Sequence, residues 1–183
     1  MCFKCKSTLD VNLKKDSITG YKHFYFSKYS ESYKQIFHSI KYELNVHLLN
    51  KLSDHFIESI SDKRFFDYDY YIKVPYHYSR LRQRGFNVLD KLFLFLETTY
   101  QIQHLPIITR KKATAKLALE SKDSRQLLLN NAFELNNLPF KPNAKILLVD
   151  DIVTTQATMK SILYKLETLS GIKSIDCMSI IRV

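Results

Sequence analysis

The sequence predicts an α/β fold in which a mostly parallel sheet carries helices on both faces. Three observations predict it. Short runs rich in β-branched and aromatic residues alternate along the chain with stretches of helical period. The clearest run, residues 146–149, is apolar without alternation, as a strand buried on both faces should be. The chain has 183 residues, 45% of them hydrophobic and 25% charged, which suits one domain around one sizeable core.

The elements follow in order. Residues 1–20 read as a polar N-terminal piece, and residues 21–183 as the α/β domain. Residues 21–26 read as a strand. Residues 30–60 read as two helices with a break near Asn45, because Tyr33, Ile36, Phe37 and Ile40, then Leu48, Leu49, Leu52 and Phe56, keep helical spacing. Residues 70–74 form a short strand that Pro75 stops. Residues 88–99 read as a helix. A long polar stretch begins near Ile107 and Ile108 and runs to Phe133 with no clear strand pattern, although residues 113–129 could instead form a helix. Residues 145–149 are a central strand, 157–169 a helix and 174–181 a final strand. In such a fold a ligand sits beyond the carboxyl ends of the strands.

Two segments carry chemistry. In the first, the apolar run 146–149 ends in Asp150 and Asp151, and the hydroxyls of Thr154, Thr155 and Thr158 follow before a helix begins. The first backbone N–H groups of a helix have no partner within it and attract a phosphate. Carboxylates just before that cradle can take ribose hydroxyls or a hydrated Mg²⁺. Acidic pairs after a strand also occur in response-regulator receivers, but those need more chain than follows Asp151. A Walker B strand is disfavoured because no GxxxxGK[ST] is present. An ordinary strand–helix turn with an acidic start would need fewer hydroxyls.

In the second segment, residues 74–87, Arg80, Arg82 and Arg84 stand at spacing two before Gly85. Guanidinium groups bind phosphate oxygens through two donors at once, so this is an anion site or a solvated basic loop.

The first segment resembles the ribose-phosphate loop of type I phosphoribosyltransferases. Asp150, Asp151, Thr154, Thr155, Ala157 and Thr158 match in register, and Gln156 stands where that family usually has glycine. Glycine would there permit a positive φ or a close backbone approach. With the second segment, the chain resembles the ComF competence family. Val74, His77, Arg80, Arg82, Arg84, Gly85, Phe86 and Asn87 fit its pattern, while Val88 replaces the usual Gln. Ile40, Lys41 and Tyr42 match the end of its first helix. Arg110, Arg125, Ala132 and Phe133 fit the long polar stretch, where Leu128 replaces Asn. The resemblance covers roughly residues 21–183.

The resemblance implies a type I phosphoribosyltransferase-like fold that binds phosphoribosyl pyrophosphate (PRPP) with Mg²⁺. It assigns the catalytic, ribose-positioning role to Asp150 and Asp151. The phosphate falls to Thr154, Thr155, Gln156, Ala157 and Thr158, and the pyrophosphate to Arg80, Arg82, Arg84 and Gly85. The long polar stretch becomes a hood over the ligand. It also implies support of natural transformation through single-stranded DNA and the inner-membrane uptake machinery, on the cytoplasmic side and peripheral to the membrane. The competing expectation is a metabolic phosphoribosyltransferase acting on a nucleobase or similar acceptor.

The net charge of +10 favours nucleic acid, anionic lipid or a highly charged metabolite. Lysines and aromatics interleave over residues 21–42, which suits either a single-strand groove or ordinary core packing. No apolar run reaches about 18 residues, so no membrane span is expected. Cys2 and Cys5 form a CxxC, half of a tetrahedral Zn²⁺ set; in ComF proteins a second pair completes an N-terminal zinc module, so residues 1–20 are expected to be its remnant. Cys177 lies in an apolar run and is expected to be a buried thiol.

Overall fold

The computed structural model describes residues 12–60, 66–76, 78–111 and 132–183, without the side chains of residues 78–80. Among them a six-stranded sheet is built from β1 (Lys14–Ile18), β2 (Tyr21–Lys28), β3 (Tyr70–Lys73), β4 (Gln103–His104), β7 (Ala144–Val153) and β8 (Ile172–Arg182), in the order β1-β2-β8-β7-β3-β4. Four of its five pairings are parallel, and β1 alone runs antiparallel to β2. A small antiparallel pair, β5 (Ile108–Arg110) with β6 (Phe133–Leu135), lies apart. The mostly parallel α/β expectation holds. Ile146, Leu147, Leu148 and Val149 are all fully buried in succession, so both faces of β7 are covered.

The helices between strands follow local signals. In α1 (Glu31–Tyr42), Ser30 caps the Tyr33 N–H, Glu31 opens the first turn and Lys41 closes the last, all in favour of the helix dipole. Tyr33, Phe37 and Ile40 form its buried face. The break foreseen near Asn45 is real. Leu44 adopts φ 56°, and the Asn45 side chain accepts from the Leu48 N–H at 2.9 Å to start α2 (Val46–Ser59). Leu49, Leu52 and Phe56 on α2 face the core, where the Phe56 ring packs on Phe26 with centroids 4.9 Å apart.

Four expectations need correction. Residues 88–99 are two short helices, α4 (Val88–Leu92) and α5 (Leu94–Thr98), because fully buried Phe93 leaves helical geometry between them. The polar stretch after residue 107 opens with a strand, β5. The central strand continues past Val149 to Val153, so Asp150 and Asp151 lie within β7 and not on a loop beyond it. The arginine segment is not a loop throughout, since residues Tyr78–Arg84 form the short helix α3. In addition, residues 14–18 of the polar N-terminal piece form the edge strand β1. The final helix, α6 (Ala157–Leu166), ends earlier than its apolar pattern suggests.

Most aromatics of residues 21–42 are core: Phe24, Tyr25, Phe26, Tyr33 and Phe37 are buried, while Tyr29 and Tyr42 are exposed. Cys177 is a free, buried thiol as expected, and burial pushes its ionisation up. Cys2, Cys5, His77, Arg125, Leu128 and the alternative helix over residues 113–129 lie outside the described residues. Among the described residues no helix is long and apolar enough to cross a membrane.

Candidate functional site

Parallel pairing of β3 with β7 fixes the site. Lys73 stands opposite Val149, and the Val74 N–H donates to the Val149 carbonyl at 2.9 Å. The chain leaving β3 is therefore held beside the acids near the end of β7. Tyr76 donates its hydroxyl to Oδ2 of Asp151 at 2.6 Å. Just beyond, the Arg84 guanidinium lies 5.7 Å from the ring centroids of both Tyr76 and Tyr42, a cation–π distance. The two sequence segments thus meet in space. Gly85, at φ 74°, ends α3, and its N–H donates to the Leu81 carbonyl at 2.8 Å.

The acids are unequal. The side chain of Asp151 is 7% exposed, and its Oδ2 also takes the Lys41 ammonium at 2.5 Å. Burial alone would raise its pKa, but Lys41 and then Tyr76 hold it below the usual carboxylate value. Asp150 accepts the Asp151 N–H at 2.9 Å. Burial first, and the neighbouring Asp151 charge second, push Asp150 well above the usual value, opposed by Lys41 and Arg110. Burial and the Asp151 charge also push the Tyr76 phenol up, so it remains a donor.

Past β7 the chain turns through Thr154 and Thr155 to the start of α6. A shallow concavity here is lined by Asp150, Thr154, Thr155, Gln156, Ala157 and Thr158 among others. Gln156 is the N-terminal boundary residue of α6, at φ 61° and ψ −5°, in the left-handed region that glycine occupies without cost. The backbone has kept the conformation a glycine would favour although the side chain is glutamine. The loop is held from below by Arg182, whose Nη1 donates to the Thr154 carbonyl at 2.9 Å while its Nε donates to Asp16 at 3.1 Å. Asp16 in turn meets His23 at 2.6 Å, and the second ring nitrogen of His23 meets the Ser179 hydroxyl at 2.9 Å. This Asp–His–Ser row has the partners of a hydrolytic triad, but Ser179 and His23 are fully buried, which closes it to substrate.

No family model matches the chain. Over 117 residues it is 35% identical to Competence protein F of Haemophilus influenzae, a match that takes in 61% of this chain and 49% of that protein. The chain is a sequence relative of competence protein F. It spans about half the length of that curated relative. Solved structures similar to it include phosphoribosyltransferases. The adenine phosphoribosyltransferase of Saccharomyces cerevisiae is 16% identical, with a TM-score of 0.46 over 100% of this chain and 90% of that one. The enzyme of Thermoanaerobacter pseudethanolicus is 13% identical, with a TM-score of 0.43 over 96% of this chain and 97% of that one.

Of the residues the ComF resemblance singles out, Asp150, Thr154, Thr155, Gln156, Ala157 and Thr158 line one concavity, while Asp151 is engaged by Tyr76 and Lys41 and Arg84 lies against the Tyr76 ring. Arg82 is exposed on α3, and the Arg80 side chain lies outside the described set. Three further residues complete the arrangement without having been selected from sequence as site residues: Tyr76, Lys41 and Arg182. Lys41 and Tyr76 were visible only as members of the ComF pattern or its flank. Arg182, at the end of an apolar strand, gave no signal.

Proposed function

We propose that this ComF relative binds PRPP at the carboxyl edge of the sheet and, in that state, supports natural transformation by handling incoming single-stranded DNA. The observation that carries the reading is the contact of the two segments. Tyr76, just before the arginine helix, bonds Asp151 near the end of β7 and at the same time lies beside Arg84, so the arginine segment and the acids stand next to each other. The ribose phosphate would take the free N–H groups at the start of α6 and the threonine hydroxyls. Arg84 and Arg82 would take the pyrophosphate. Asp150, which lines the concavity, would meet the ribose hydroxyls. The competence role, the DNA and the membrane machinery rest on the relative's name and on the net positive charge.

Mg²⁺ is part of the family expectation, and the acids do not fit it as direct ligands. Oδ2 of Asp151 already holds an ammonium and a phenol, and no cluster of three or more His, Cys, Asp or Glu suited to a metal exists among the described residues.

Titration calorimetry with PRPP and Mg²⁺, beside Asp150→Asn and Arg84→Ala, tests the reading. Binding that both substitutions weaken by tenfold or more supports one pocket made from both loops. Binding that neither changes, or none in the wild type, overturns it. Pyrophosphate release from PRPP in a panel of nucleobases would instead favour a metabolic transferase.

A further inference from the structure

The acids of β7 already face a cation, and it belongs to the chain. Lys41 projects from the last turn of α1 with its ammonium 2.5 Å from Oδ2 of Asp151; the two side chains are 16% and 7% exposed. The Phe37 ring lies 5.1 Å beneath the same ammonium, which keeps the lysine stem against the core. The Tyr76 hydroxyl occupies a second direction of that oxygen. Divalent cations sit about 2.0–2.6 Å from carboxylate oxygens, which is where this ammonium stands. A metal on Oδ2 would have to displace it or share the space with a like charge, and burial leaves little solvent to screen that repulsion.

We propose that Lys41 is a tethered counter-cation for the Asp150–Asp151 pair: it takes the place of a directly bound divalent metal and offsets the acids so that a polyanionic ligand can lie beside them. The second half rests on the PRPP reading above; the first does not. Asp151 becomes a positioning residue committed to Lys41 and Tyr76, and Asp150 is the carboxylate left to face a ligand.

The decisive experiment uses Mn²⁺ alone, with no phosphorylated ligand, read by electron paramagnetic resonance on the full chain. Thermal unfolding confirms that each variant is folded. Wild type and Lys41→Arg are expected to bind Mn²⁺ weakly and alike. Lys41→Met is expected to gain at least about tenfold in affinity, and Lys41→Met with Asp151→Asn to lose that gain. A wild type that binds Mn²⁺ as tightly as Lys41→Met, or a folded Lys41→Met that gains nothing, overturns the proposal. If Lys41→Met does not fold, wild type and Asp151→Asn decide: equal weak affinity supports it, and affinity that Asp151→Asn abolishes overturns it. Because PRPP is absent, a failure here is distinct from a failure of the PRPP reading.

Discussion

Tyr76 and Asp151, 75 positions apart in sequence, are joined by a 2.6 Å hydrogen bond from phenol to carboxylate. The bond follows from the parallel register of β3 on β7, and it ties the segment leading into the arginine helix to the end of β7. A buried carboxylate that loses such a donor keeps its charge and loses a partner.

Tyr76→Phe should therefore destabilise the fold by about 1–3 kcal/mol, the usual range for a hydrogen bond to a charged buried group. Urea unfolding of the two proteins measures it. An unchanged midpoint would mean that Lys41 alone satisfies Asp151.

Gln156→Gly should stabilise the protein. An L-residue in the left-handed region costs roughly 1–2 kcal/mol, and part of the relief is returned through the greater freedom of glycine in the unfolded chain. A net gain of about 1 kcal/mol is expected, with Gln156→Val changing stability in the opposite direction. Thermal unfolding of the three proteins shows the order.

Asp150 predicts a dependence on pH. Its native pKa is raised by burial and by Asp151, so the folded protein holds a proton that the unfolded chain releases near pH 4. Stability should fall as pH climbs from about 4 to the raised native value. Asp150→Asn should flatten that part of the profile in denaturant unfolding across pH, and an unchanged slope would count against a buried, raised Asp150.

His23 predicts the opposite slope within the same pH range. Burial lowers its pKa, Asp16 opposes the shift and Arg182 adds to it. The unfolded chain gains the proton first, so stability should be lost as pH falls from about 6.5 toward the lowered native value. Following unfolding between pH 7.5 and 5 in wild type and Asp150→Asn separates this slope from the first.

Arg182→Ala should loosen the turn between β7 and α6, since one guanidinium holds both the Thr154 carbonyl and Asp16. A loss of about 1–2 kcal/mol in stability is expected, with faster amide exchange in residues 154–158. Exchange confined to other segments would show that the loop is held from elsewhere.

Much of this was legible in the chain. The apolar period placed β2, β3, β7, β8, α1, α2 and α6, and Asn45 marked the break between α1 and α2 through its capping side chain. The acid–threonine run and the arginines stood out as candidates for an anion site because those residue types gather at short spacing. Other elements were hidden for physical reasons. The strand β1 is polar because its outer edge faces water, and β4 and β6 are too short to show a period. Phe93 reads as a helix residue by pattern, and only its backbone, at φ −109° and ψ 10°, reveals the break.

By itself, then, the sequence determined the alternation of strands and helices, the mostly parallel sheet that such alternation favours, and the two candidate segments near strand ends. These depend on neighbours along the chain. The tertiary structure alone decided that Asp150 and Asp151 differ, that Lys41 neutralises one of them, that Gln156 stands in a glycine conformation, and that Arg182 braces the loop. Each depends on residues brought together across the sheet, and charge, burial and hydrogen bonding act through space rather than through spacing.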